Sequence, residues 1–143
     1  MPSPIRLRRA ATVAVAATAP PFFFAQSALA NWSSHITGAD VGFESRRWAE
    51  ESYTEVNFKG CNNSRQDISV GIEIYEDINN WPDDGYGEKT FTACFNGGTS
   101  KGTESGLPAG SYYFQIEAHD GIHYTNLYTV NVSSVSVDTT LAD

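Results

Sequence analysis

The residues with the most chemistry to offer are three histidines, two cysteines and a carboxylate-rich loop. His119 and His123 stand four apart, a spacing that on a helix turns both rings toward one metal ion. Asp120-Gly121 lies between them and is a hairpin signal, so the pair straddles a turn. The expected role is then structural, with Glu117 opposite His123 on an outer sheet face. Cys61 and Cys94 have no CxxC partner and no adjacent histidine, which argues against a thiol nucleophile or a metal ligand. No G-x-S-x-G elbow marks a nucleophilic serine. The chain is read as non-enzymatic, with no catalytic residue, no cofactor and no metal site. The segment 76–88, EDINNWPDDGYGE, gathers Glu76, Asp77, Asp83, Asp84 and Glu88. Its oxygens suit calcium, yet the spacing is not that of an EF-hand, so a solvated acidic loop is the default and calcium stays open. Trp81 and Tyr86 sit in the same loop. With Asp83 and Asp84 they are the candidate contacts to a protein or a sugar, the alternative being that Trp81 folds back over one sheet end.

Charge and length narrow the field. The chain has 143 residues, with 17 acidic and 9 basic, a net charge of −8. Residues 1–30 read as a secretory signal peptide. Arg6, Arg8 and Arg9 form a positive start, an apolar stretch follows from Ala10, and Ala28-Leu29-Ala30 is a small-x-small cleavage site. That stretch is short for a membrane span, and Pro20-Pro21 interrupts it. Removing the three arginines leaves 6 basic against 17 acidic residues, or −11, over residues 31–143. Such a chain has no long-range attraction to phosphate backbones or anionic lipids, so neither nucleic acid nor membrane is expected as a partner. A secreted, extracellular location is oxidising, and Cys61 and Cys94 should form one disulfide there.

Period-2 patterning organises the rest. Thr54, Val56 and Phe58 alternate with polar neighbours, as do Ile68, Val70, Ile72 and Ile74, then Phe91, Ala93 and Phe95, then Tyr112, Phe114, Ile116 and Ala118. Ile122, Tyr124, Tyr128, Val130 and Val132 complete the set, with Asn126 as its odd member, and short segments near 35–41, 43–48 and 135–140 are further candidates. Turn clusters separate them at Cys61–Arg65, Asn79–Gly87, Asn96–Gly102 and Leu107–Gly110. One apolar face per strand predicts an all-β fold, a single antiparallel β-sandwich of immunoglobulin-like or jelly-roll-like type. Parity puts Cys61 and Cys94 on the polar faces, hence a bridge outside the core or at an edge unless Gly60 bulges. For the 118–122 hairpin, a three-residue loop pairing Ala118 with Ile122 keeps both apolar residues inward and is preferred over a two-residue Asp120-Gly121 turn.

Residues 31–45 lack clear alternation and read as an edge strand or an extended N-terminal arm. Trp32, Ile36 and Phe43 are its apolar anchors, and such segments bind by adding a strand to a partner or filling a cleft. Asn31-Trp-Ser33, Asn62-Asn-Ser64 and Asn131-Val-Ser133 match the short N-glycosylation pattern.

A pattern of short motifs carries one resemblance. Gly42-Phe43-Glu44-Ser45-Arg46-Arg47-Trp48 precedes a strand ending in Gly60-Cys61; Trp81-Pro82-Asp83, Lys89-Thr90-Phe91 and Cys94-Phe95 follow, then Leu107-Pro108-Ala109-Gly110-Ser111-Tyr112-Tyr113-Phe114. Over about residues 40–118 the chain resembles small secreted proteins of actinobacteria such as streptomycetes, in particular the adaptor subunits of umbrella toxin particles, which are secreted antibacterial complexes. The resemblance implies a structural role, bridging a lectin-like protein to a repeat-bearing toxin chain. It assigns no residue a role. A free carbohydrate-binding module using Trp81, Tyr86 or Trp48, and a secreted hydrolase inhibitor inserting loop 79–87, are the alternatives.

Overall fold

The computed structural model describes residues 31–63, 65, 68–124 and 128–140. The expected signal peptide, Asp67 and Asn126 lie outside the described residues. Among the described residues nine strands follow in order: β1 (Trp32–Ala39), β2 (Trp48–Glu50), β3 (Tyr53–Asn63), β4 (Val70–Glu76), β5 (Asp84–Gly85), β6 (Lys89–Phe91), β7 (Thr99–Ser105), β8 (Gly110–His119) and β9 (Val130–Asp138). One sheet has the order β1-β9-β3-β7; in the other, β2-β8-β4 is completed by β5 and β6, both pairing with β4. Every ladder is antiparallel. The strands pair as mirror images about the β4–β5 connection: β4 with β5 and β6, β3 with β7, β2 with β8, β1 with β9. A long hairpin rolled up on itself gives this order, which is that of a jelly roll rather than an immunoglobulin sandwich.

The inward side chains of β3, β4, β8 and β9 meet between the sheets. Phe58 of β3 packs edge-on against Phe114 of β8 at 5.4 Å and Phe91 of β6 at 5.0 Å, linking the two layers. Trp48 and Trp32 continue the row, each 6.5 Å from Phe114 and 6.1 Å from one another. Aromatic pairs at these separations add about 0.5–1.5 kcal/mol each beyond the area they bury.

The disulfide joins Cys61 to Cys94, and both residues are buried in this core rather than on a polar face. Gly60 is the reason for the first. Its φ of 66° is left-handed, and the buried set of β3 changes from Thr54, Val56 and Phe58 before it to Cys61 after it. The opposite strand changes parity at the same level, from Val130 and Val132 to Val135 and Val137, so the register holds while both pleats reverse. For Cys94 the strand expected over 90–95 stops at Phe91; a 3-10 turn over Ala93–Asn96 takes over and turns the Cys94 sulfur inward.

Three further expectations are corrected. The cluster Asn96–Gly102 is not simply a turn, because β7 begins at Thr99 and pairs with β3 over seven residues. Its inward positions are the small residues Ser100 and Gly102, because Lys89 and Phe91 of β6 fill the space: a Cβ on Gly102 would lie 2.7 Å from the Lys89 stem and 3.1 Å from the Phe91 ring. The hairpin after β8 has the tighter turn. His119 pairs with Ile122 across Asp120 and Gly121, both at positive φ (47° and 77°), the geometry of a type I′ turn. The preferred register failed because it assumed unbroken alternation. Between Ile72–Ile116 and Gly71–Ala118 the ladder shifts, leaving Glu117 extra, and this bulge turns His119 inward and sets Ala118 beside Gly71. Of the strand expected over 122–132, β9 keeps only the part from Val130, and it runs on to Asp138.

Gly60→Ala should lower stability by about 2 kcal/mol, since left-handed backbone costs a non-glycine residue roughly 1–2 kcal/mol and the new Cβ would sit 2.6 Å from Ser133 Oγ. Gly87→Ala, equally left-handed but with open space around it, is the control that isolates the clash. Equal urea midpoints for Gly60→Ala and the parent chain would overturn this. Replacing both cysteines by alanine should cost roughly 3.8 kcal/mol from loop entropy alone, since the bridge spans a separation of 33; urea unfolding of the two forms measures it.

Candidate functional site

The anchors Trp32, Ile36 and Phe43 converge on one cleft. Trp32 and Ile36 enter from β1, whose inward side is fixed by pairing with β9. Phe43 comes from the chain just before β2, which is laid along β8: Gly42 N–H donates to Ile116 O (2.8 Å), Ile116 N–H to Phe43 O (2.9 Å) and Ser45 N–H to Phe114 O (2.9 Å). The buried Ser45 hydroxyl accepts from Phe114 N–H at 3.0 Å. The stretch 31–45 is therefore docked along most of its length. Where the edge of one sheet meets the edge of the other, a cleft of about 150 Å³ opens, with Phe114 and Val135 behind Trp32, Ile36 and Phe43. That volume accepts one aromatic or aliphatic side chain; an apolar cavity of similar size holds benzene.

The rim of the cleft is cationic, in an acidic protein. Arg46 lies with its guanidinium 5.3 Å from the Trp32 ring and makes no ion pair among the described residues. Its neighbour Arg47 is neutralised twice, by Glu44 at 2.8 Å and Asp77 at 2.9 Å. Ser34, His35 and Ser45 supply the rest of the polar lining.

The acidic loop divides differently from what its sequence suggests. Trp81 is 76% exposed at the tip and does not fold back. Asp83 is a brace: one oxygen accepts from Ile78 N–H at 3.0 Å, the other from the Tyr113 hydroxyl at 2.6 Å. The hydrogen bond from Tyr113, with that from Ile78, holds the Asp83 carboxyl below its ordinary range, while burial and Asp83 together push the Tyr113 phenol up. Asp77 N–H donates to Ser111 O at 2.8 Å, and Trp81 N–H to Ile78 O at 3.1 Å. Asn80 adopts φ 64°, a left-handed position that asparagine tolerates. Tyr86 is half-buried against Tyr112 and reaches Glu76 at 3.3 Å, and Asp84 pairs with Glu76 in the short β5 ladder. Among the described residues no group of three or more His, Cys, Asp or Glu is arranged to hold a metal ion.

The aromatic surfaces suited to stacking on sugars are mostly closed. Trp48 is buried. Tyr75 and Tyr113 stack at 5.4 Å on the outer face, but Arg47 covers Tyr113 at 4.0 Å, and Tyr75 lies against Gly85 so closely that a Cβ there would meet it at 2.9 Å. The Tyr75 hydroxyl, not His123, takes Glu117, at 2.9 Å. His123 instead bonds Glu88 at 2.6 Å, which raises its pKa. His119 is buried with neither ring nitrogen hydrogen-bonded, and Asp40 is 3.9 Å away. The two histidines do not share a site.

Comparison with known protein families, curated proteins and solved structures finds no match. Sequence reasoning did not single out Arg46, Phe114 and Val135 as lining one cleft, or Tyr113 as the loop's brace. The signal is weak: Arg46, Phe114 and Val135 lie on different segments of the chain, and only the rolled topology brings them together.

Tyr113→Phe should raise the Asp83 pKa toward the usual carboxylate range. Because the folded-state value is lowered, Asp83 contributes stability above its unfolded pKa and loses it as pH falls through the folded one. Carboxyl carbon shifts followed by NMR between pH 2 and 6, about the ordinary Asp range, measure the change. An unshifted Asp83 in Tyr113→Phe would remove the brace as described.

Proposed function

We propose that the chain is a secreted, non-enzymatic protein-binding module that uses two separate surfaces, the cleft beside β1 and the Trp81 loop. The observation that carries this reading is the convergence of Trp32, Ile36 and Phe43 on one cleft whose rim holds Arg46, an arginine with no ion pair among the described residues. An exposed tryptophan on a braced loop supports the second contact, since rigid aromatic anchors lose little entropy on binding. Two contacts on one small domain suit an adaptor, and the resemblance to umbrella toxin adaptors points the same way, with a lectin-like protein and a repeat-bearing toxin as the partner class. The disulfide accords with an oxidising, extracellular location. A second reading is favoured by the loop itself: a braced, convex Trp81 suits insertion into the cleft of a secreted hydrolase.

The test must spare the fold. Deleting residues 31–41 would remove Trp32, Ile36 and Ala39 from the core, and Tyr86 packs on Tyr112, so neither is a clean probe. Phe43 and Trp81 are exposed and serve instead. Tagged protein is recovered from the producer's culture supernatant and its companions identified by mass spectrometry. Phe43→Ala should release one companion and Trp81→Ala another, each losing about thirtyfold in affinity, or about 2 kcal/mol. If the parent chain recovers no co-secreted protein, the adaptor reading fails; recovery of a hydrolase released only by Trp81→Ala establishes the inhibitor instead.

A further inference from the structure

We infer that the cleft beside β1 receives an extended acidic segment of a partner chain, seating one apolar side chain between Trp32 and Phe43 and a neighbouring carboxylate on Arg46. This deepens the partner-binding reading and rests on it.

Three observations select this occupant. The first is the pocket: its apolar walls and volume of about 150 Å³ admit one side chain rather than a helix face. The second is charge. In a chain with 17 acidic and 9 basic residues, Arg46 stands at the rim with no carboxylate partner among the described residues, while Arg47 beside it has two. A guanidinium held on an aromatic ring presents its donors in a fixed plane, which matches a carboxylate. The third is the adjoining edge. β1 pairs with β9 on one side, and no described strand pairs with it on the other. Ser33, Ser34, His35 and Thr37 are exposed there, without the lysine or proline that usually guards such an edge. The opposite edge, β7, carries Lys101 and Glu104, both in ion pairs.

Register shifts on either side of Ile36 limit the regular part of β1 to a short run. A strand added there gains few backbone bonds, so the side chain in the cleft and the carboxylate on Arg46 must supply the choice of partner. A second copy of this chain is the poorer occupant, because its β1 edge, Trp32–Ala39, carries no carboxylate to place on Arg46.

A phage library of random octapeptides panned on the full secreted chain, and in parallel on Arg46→Glu, tests this. The parent should enrich peptides with Asp or Glu within two positions of a leucine, isoleucine or aromatic residue. Arg46→Glu should lose that preference. A selected peptide made synthetically should bind at least tenfold more weakly to Phe43→Asp and to Arg46→Glu, and unchanged to Lys101→Ala, which removes a positive charge at the far edge. Circular dichroism confirms that each variant keeps the parent fold. No consensus, a consensus without carboxylates, or equal binding to Arg46→Glu overturns the inference, as does a dimer by light scattering that Phe43→Asp disperses. An absent acidic consensus alongside a companion released by Phe43→Ala sinks this inference alone; an acidic consensus with no co-secreted companion sinks the adaptor reading and leaves the cleft's preference standing.

Discussion

The contact between Phe58 and Phe114, at 5.4 Å, ties one sheet to the other, and much of the molecule follows from making room for it. With Phe91 on the far side, the rings occupy the space under β7, so β7 carries Ser100 and Gly102 where a core strand would ordinarily carry valine or isoleucine. The freed Ser100 hydroxyl accepts from Cys94 N–H at 2.9 Å and holds the turn that carries the disulfide. The row ends differently on its two sides. Beside Phe91, the Lys89–Glu104 ion pair joins β6 to β7. At Trp32 the cover is only Arg46 stacked on the ring, and the gap left there is the cleft. The site is thus the unfinished end of the core, made of the same residues by the same packing.

This explains what was legible in the sequence. Strands with large inward residues, such as Val70, Ile72 and Ile74, announce themselves by alternation. β7 does not, because its inward residues are small for reasons that lie on β3 and β6. Alternation also assumes an unbroken pleat. It fails at Gly60 and beside Glu117, and those two interruptions account for the misplaced Cys61 and the misjudged turn at His119. The glycine was readable as a warning, since a glycine inside a strand pattern suggests a bulge. Nothing near Glu117 gives such a signal. Trp32, Ile36 and Phe43 were recognisable as anchors from their isolation among polar residues; Arg46 was not separable from Arg47, since only the fold gives one of them two carboxylates.

The acidic composition acquires a different meaning once the outer face is built. Carboxylates there are organised around tyrosines as much as around cations: Tyr113 on Asp83, Tyr75 on Glu117, Tyr53 on Glu55. A phenol donates one hydrogen bond, carries no charge at neutral pH, and brings a ring that packs on the sheet. The phenols are held protonated by these neighbours and by burial; Tyr53 is pushed up to about 12. Glu55 remains low despite desolvation, through Asn57, Tyr53 and Lys101. A protein with few lysines and arginines can fix its acidic loops in this way without closing every carboxylate into a salt bridge.

Arg46 matters against that background. Of the six described lysines and arginines, Arg47, Lys89 and Lys101 are paired with described carboxylates while Arg46, Lys59 and Arg65 are not, and among the unpaired three Arg46 is the one that stands at the mouth of the apolar cleft. Pairing it internally would be easy, since Glu44 lies two residues away and already serves Arg47. Stacking on Trp32 keeps the guanidinium close to its final position, so little rotamer entropy is lost when an anion arrives, and the ring's apolar surface is shielded until then. A partner that brings both an apolar side chain and a carboxylate replaces both functions at once. One that brings only the apolar group must displace the arginine and leave it without compensation. On the proposed reading, the cleft's selectivity would reside in the arginine, and its affinity in the unfinished end of the aromatic row.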